Sequence, residues 1–319
     1  MSETLTARAA NVLPSALMRP RTLEQRDNRL GIALVVPSAI FFIVLIAYPL
    51  VQAIFLSFYK VYTPTLSGPY VAFGQYIALF SDPEFWTSLR NNIVWTVGTL
   101  FLQITFGVAI AMMLHQNFPV RALARALCLF PYLLPMVVAV LIWRWLFNDL
   151  YGFLNHLVIG NVFESFHPLE FPIDWLGAMP NAMISIILVG AWKYFPFVVI
   201  AVLARLQTIP EQLYEAAMID GATPWQRFWD VTIPQLRSVL VIVILLRSIW
   251  DFKEFDLIFL MTGGGPVIGT QTLPLMVYKQ AFPLFAMGKA STVAVAMLAV
   301  MLIFMFFYFK TYGRQEEDV

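Results

Sequence analysis

Arg247, Asp251 and Glu254 fall at i, i+4 and i+7 in an otherwise apolar stretch, a spacing that sets them on one helical stripe with Trp250 at its flank. Charge in so apolar a run marks either a solute path or an internal ion pair, Arg247 with Asp251, and both readings stand. Lys193 lies mid-way along a second apolar run behind Trp192. Pro196 cannot donate to the Trp192 carbonyl, which predicts a bend with a free carbonyl beside the lysine. Trp143, Arg144, Trp145 and Asn148 end a third run. Aromatic faces beside a few charged or amide groups suit a carbohydrate, whose hydroxyls surround weakly apolar C–H faces; Trp143 and Trp145 equally suit an interfacial belt. Asn91 and Asn92 open a further run as site groups or as caps. The candidate solute contacts are therefore Asn92, Trp143, Arg144, Asn148, Trp192, Lys193, Arg247, Trp250, Asp251 and Glu254. The three bases among them, Arg144, Lys193 and Arg247, would favour an anionic sugar.

No residue set supports catalysis or a metal. His115, His156 and His167 are far apart, no Ser or Cys has a base beside it, and no GxxxxGK[ST] phosphate loop occurs. One cysteine, Cys128, excludes a disulfide framework. The net charge of +1, without a basic patch, excludes a nucleic-acid partner.

These residues sit in a chain that is 60% hydrophobic and 12% charged, against about a quarter charged in soluble domains, so its solvent is lipid. A span needs about 20 apolar residues, and windows 31–59, 93–114, 123–147, 180–204, 238–262 and 289–310 meet that demand. They predict an all-α membrane protein of six transmembrane helices. Residues 1–30 form a polar, arginine-bearing tail with no leader cleavage site, and 31–87 the first helix and its outer loop. Residues 88–312 form the main transmembrane domain, and 313–319 a second tail. Arg121, Arg125, Arg205, Arg227, Arg237, Lys310 and the arginines of the first tail share one side. The opposite loop 148–179 is acidic, so both termini are expected in the cytosol.

The loop 207–236 would then face the cytosol. Pro210 and Glu211 suit a first helical turn. Asp220-Gly221 should end that helix, and Thr223 should cap a second with Pro224 at its first position. That second helix presents Trp225, Phe228 and Trp229, and Pro234 should stop it. Aromatic residues on a water-facing loop ask for a partner.

Glu215-Ala216-Ala217, then Asp220-Gly221-Ala222, then Ile233-Pro234 resemble the EAA loop of binding-protein-dependent ABC importer permeases. Phe259 to Pro266, with Thr262-Gly263-Gly264-Gly265-Pro266 at its core, resembles a segment of the carbohydrate branch, in particular the first permeases of the maltose and glycerol-phosphate importers. The run from Phe73-Gly74-Gln75-Tyr76 through Asp82-Pro83 to Asn91-Asn92, and Ala204 to Pro210, resemble the same branch. The resemblance implies a type I ABC importer permease fold. It implies a non-catalytic half of a translocation path for a sugar or sugar-derived solute, coupled to an ATPase through Glu215, Ala216, Ala217, Asp220, Gly221, Ala222, Trp225, Arg227, Phe228 and Pro234. Implied partners are a second homologous permease, two ATPase subunits carrying ATP and Mg, and a periplasmic or lipid-anchored solute-binding protein, with no cofactor on this chain. The alternative is an ion-gradient-driven secondary transporter, with Arg247, Asp251 and Glu254 as a proton relay.

Overall fold

The structure, a computed structural model, describes residues 34–65, 67–159 and 173–312. The expected tails, and residues 160–172 of the acidic outer loop with His167, lie outside the described residues. Met1–Gln52 and Ala53–Val319 are separate compact units, the boundary falling within helix α1 (Leu34–Leu56). At 1.5 Å per residue α1 reaches about 35 Å, enough for a bilayer core.

In the second unit, α2 (Gly74–Phe80) precedes α3 (Pro83–His115), α4 (Arg121–Leu133), α5 (Met136–Leu146) and α6 (Phe153–Ile159). Then come α7 (Asn181–Leu206), α8 (Glu211–Ile219), α9 (Pro224–Phe252), α10 (Asp256–Thr262), α11 (Leu273–Ala281) and α12 (Met287–Tyr312). Among the described residues the secondary structure is helical apart from two isolated bridges, Tyr59 with Tyr70 and Tyr62 with Ser67. Among the described residues five helices, α1, α3, α7, α9 and α12, are long and apolar enough to cross a membrane. The sixth expected span is the pair α4 and α5, bent by 95°.

Three of the expected boundaries move, two of them at a proline and the third beside Glu254. The window 123–147 breaks at Leu134-Pro135, where Leu134 is extended (φ −64°, ψ 138°). A residue before proline avoids the helical region, and Pro135 brings no amide to continue the ladder. The second span starts at Pro83 rather than 93, capped by the Asp82 carboxylate accepting from Glu84 N at 2.9 Å. Asn91 and Asn92 are therefore more than two turns inside α3 and are not caps. The fifth window is interrupted at Lys253–Phe255, so Glu254 stands between α9 and α10 instead of on the stripe with Arg247 and Asp251. Its carboxylate accepts from Leu257 N at 3.1 Å, covering the first turn of α10.

The core is built on α3 against α7. In lipid, helices associate through close packing of small residues. A Cβ added at Gly190 would lie 2.4 Å from the Trp95 ring, and one at Gly107 2.5 Å from Val198. Those two glycines set the depth of the approach. The remaining helix, α7, runs unbroken through Pro196.

Candidate functional site

Two regions gather the residues singled out above. The first lies between α3, α7 and α9. Arg247 (2% exposed) pairs with Asp251 (0%) one turn on, and its Nε donates to Gln103 Oε1 of α3 at 2.7 Å. Gln103 Nε2 donates back to the other Asp251 oxygen at 3.1 Å, so three side chains on two helices close a ring. Trp95 Nε1 donates to the Asp251 carbonyl at 2.9 Å. The Arg247 guanidinium also lies 4.3 Å from the centre of the Tyr194 ring and 5.6 Å from that of Trp250, both within cation–π range. Tyr194 carries the network outward, its hydroxyl donating to Glu254 Oε2 at 2.8 Å. The ion-pair reading of Arg247 and Asp251 is thus the geometry found, with half-buried Tyr194 and Glu254 as its accessible edge.

Gln103, Tyr194 and Trp95 were missed in the sequence. Gln103 had a usable signal, since an amide inside an apolar span must find a partner. Tyr194 and Trp95 had none, because aromatic residues are ordinary in membrane helices.

The other candidates take separate places. Asn92, fully buried, donates to the Phe252 carbonyl at 3.0 Å and accepts from Leu273 N at 3.1 Å, tying α3 to the ends of α9 and α11. Asn91 holds the Ile268 and Gln271 carbonyls at 2.9 and 3.1 Å. The glycine-rich segment after α10 is thereby fastened to the start of α3, joining two stretches far apart in sequence. Trp143 and Trp192 meet edge to face at 5.3 Å. They wall an apolar cavity of 400 Å³ with Phe106, Phe147, Trp175 and Phe195. Arg144 is exposed, one guanidinium nitrogen 3.4 Å from the Leu260 carbonyl. Asn148 accepts from Leu150 N and Tyr151 N at 3.0 Å each and so shapes the turn after α5. Lys193 (4% exposed) donates to the carbonyls of Pro131, Tyr132 and Leu134 at the α4–α5 break.

The second region is the loop from α7 to α9. Helix α8 ends as the sequence predicts. Gly221 takes φ +82°, Gly221 N donates to Met218 O at 3.1 Å, and Ala222 N donates to Ala217 O at 2.9 Å. This is a Schellman ending, with the left-handed residue a glycine and the two alanines meeting across it. Thr223 caps α9 in a capping box. Its hydroxyl accepts from Gln226 N at 3.3 Å and its amide donates to Gln226 Oε1 at 2.8 Å.

Pro234 does not stop this helix. A π turn over Phe228–Thr232, in which Ile233 N donates to Phe228 O, shifts the ladder by one residue. That shift lets the helix run on past the missing Pro234 amide to Phe252. Trp225 stacks on Phe228 at 5.7 Å, and Trp229 packs edge-on to both. Trp225 is 69% exposed and Trp229 50%. Glu215, Asp220 and Gly221 are exposed on the same loop.

The loop is braced. Arg205 near the end of α7 donates through Nε to the Gln235 carbonyl at 2.9 Å and through Nη2 to Gln235 Oε1 at 3.1 Å. The hydroxyls of Tyr214 and Thr232 meet at 3.1 Å, fixing α8 to the π turn. Behind the loop a cleft of 920 Å³ is bordered by Glu211, Glu215, Arg227, Arg121 and Arg125.

Residues 103–312 match the family described as the binding-protein-dependent transport system inner membrane component. The Thermococcus litoralis trehalose/maltose transport system permease protein MalF is 30% identical over 298 residues, 93% of this chain and 97% of that one. The Agrobacterium fabrum sulfoquinovosyl glycerol transport system permease protein SmoG is 33% identical over 281 residues, 88% of this chain and 89% of that one. A chain in the crystal structure of a bacterial ABC transporter involved in the import of the acidic polysaccharide alginate superposes with a TM-score of 0.78. It has 18% identity and covers 92% of this chain and 98% of its own length, sharing the fold. A binding-protein-dependent system is not a free-standing ion-driven carrier, so the secondary-transporter alternative is withdrawn. With its membrane-spanning helices, its braced loop and matches along most of its length, the chain belongs to the inner membrane components of binding-protein-dependent transport systems.

Proposed function

We propose that this chain is the permease subunit of an ATP-driven importer for a sugar or sugar-derived solute, forming half of the path and performing no covalent chemistry. The observation that carries the reading is the braced loop from Glu211 to Thr232. It holds three aromatic side chains together and leaves two of them open on a rigid support, as a docking element requires. Its partner is the ATPase, which carries ATP and Mg. Trp225, Arg227 and Phe228 face the ATPase groove, and Glu215, Ala216, Ala217, Asp220, Gly221, Ala222 and Pro234 shape the loop. A second homologous permease, a second ATPase and a solute-binding protein complete the machine, and both termini lie in the cytosol with the loop. The names of the relatives support the carbohydrate class.

On the solute side, the surface comprises Trp192, Arg144, Trp250 and Glu254, with Tyr194 added. Asn92, Arg247 and Asp251 are buried among protein partners and support it from behind. The basic surplus that favoured an anionic solute thereby shrinks, since Arg247 is neutralised by Asp251.

Proteoliposomes holding the complete complex test the reading. Labelled sugar should accumulate only with ATP and binding protein, and a cross-linker at Trp225→Cys should reach the ATPase. Uptake that persists without ATP hydrolysis would overturn it.

A further inference from the structure

Lys193 sits at the midpoint of α7 and was read in the sequence as a solute contact. Its surroundings assign it other work. An ammonium group has three hydrogens to donate, and three carbonyl oxygens surround this one. Those of Pro131 and Tyr132 lie at 2.8 and 3.2 Å, and the third is that of Leu134. With its side chain buried, no donor is left for a solute.

The carbonyls of Pro131 and Tyr132 belong to the last turn of α4, and that of Leu134 to the break beyond it. The last turn of any helix leaves its carbonyls without intrahelical partners. In α4 the residues beyond cannot supply them, because Leu134 is extended and Pro135 has no amide. In a bilayer each such group must be satisfied by protein. A cation is also the favoured partner for the negative end of a helix dipole. Among the described residues no carboxylate lies within ion-pair distance of Lys193, so its direct contacts are the carbonyls at the end of α4, with Glu254 acting on it only from further away. The break that separates α4 from α5 by 95° is therefore held by a side chain of α7. Trp192, the neighbour of Lys193, holds Trp143 of α5 through their edge-to-face contact.

We infer that Lys193 is a positioning residue: it pins the α4–α5 elbow to the middle of α7 and so sets where Trp143 and Arg144 stand relative to Trp192. The inference rests on the permease reading for its consequence in transport, but not for the pin itself.

Spin labels placed on the full complex can separate the two. Exposed Val137 of α5 and Leu188 of α7 form the reporting pair, and Val97 of α3 with Leu188 the control pair. In the wild type both pairs should give one narrow distance distribution. In Lys193→Met the 137–188 distribution should broaden or shift while the 97–188 pair stays narrow. Uptake should fall at least about tenfold, the scale set by leaving one buried hydrogen-bonding group unpaired. Should the Met variant fail to assemble, Lys193→Gln keeps two donors on a shorter arm and is read the same way.

A lost uptake with an unchanged 137–188 distribution would make Lys193 a direct solute contact and overturn the pin. So would broadening of both pairs together, which would mark general destabilisation, or a variant indistinguishable from wild type. The distances are read without transport, so ATP-independent uptake by the wild type would sink the importer reading while leaving the pin to stand or fall alone.

Discussion

Asp251→Asn removes one charge of a buried pair and leaves Arg247 uncompensated among Gln103, Tyr194 and Trp250. Breaking such a pair costs on the order of 3–5 kcal/mol. The expected outcome is a marked drop in thermal stability of the detergent-solubilised complex, measured by fluorescence-detected chromatography after heating. Glu254→Gln differs, because Glu254 is only half-buried and its interactions are with Tyr194 and the α10 amide. Its amide oxygen can still cover the helix turn, so stability should hold within about 0.5 kcal/mol. Solute uptake should fall about tenfold, the worth of one charged hydrogen bond. Equal destabilisation by the two variants would refute this division between support and surface. The charges were legible in the sequence because lipid makes each one conspicuous. Their roles were not, because the partner that decides them, Gln103, lies more than a hundred residues away in the chain.

Proline shows at the scale of elements why sequence reading stops where it does. Pro131 and Pro196 sit inside continuous helices, Pro234 is absorbed by a π turn, and Pro135 ends one helix and starts another. The residue is the same in each case, and what differs is who receives the freed carbonyls. At Pro135 the receiver is on another helix, a fact no local pattern contains. Helix ends fixed by their own neighbours were legible, as with Thr223-Pro224 and Asp220-Gly221. Gly221→Pro should abolish ATP-driven uptake while leaving membrane insertion intact, since proline fixes φ near −65° where this turn requires +82°. Gly221→Ala should retain part of the activity, the left-handed conformation costing it roughly 1–2 kcal/mol. Solute-stimulated ATP hydrolysis by the reconstituted complex distinguishes the three, and an active proline variant would remove the loop from the coupling path.

For the molecule as a whole, the packing of α3 on α7 is the foundation. Gly107→Val would press a side chain into Val198, whose nearest atoms would lie 2.5 Å from the new Cβ. Overpacking of this kind typically costs about 1–3 kcal/mol, and α3 carries Gln103 and Asn92 with it. The complex should assemble poorly, seen as loss of co-purifying subunits, and a fully assembled Gly107→Val complex would show the helices free to separate. The positions of the long apolar helices along the chain were written in hydropathy, whereas the depth at which α3 meets α7 depends on a shape match that composition does not record. The hydrogen bonds of Arg205 to Gln235 draw the two feet of the loop together. One foot is the stem of the helix bearing Lys193 and Tyr194, the other the stem of the helix bearing Arg247 and Asp251. A pull applied to the exposed indoles cannot be lost in slack chain, and it arrives as a tilt of both rods at once. Lys193 stands about 20 Å up its rod at 1.5 Å per residue, so a tilt of even a few degrees is felt at the elbow it holds.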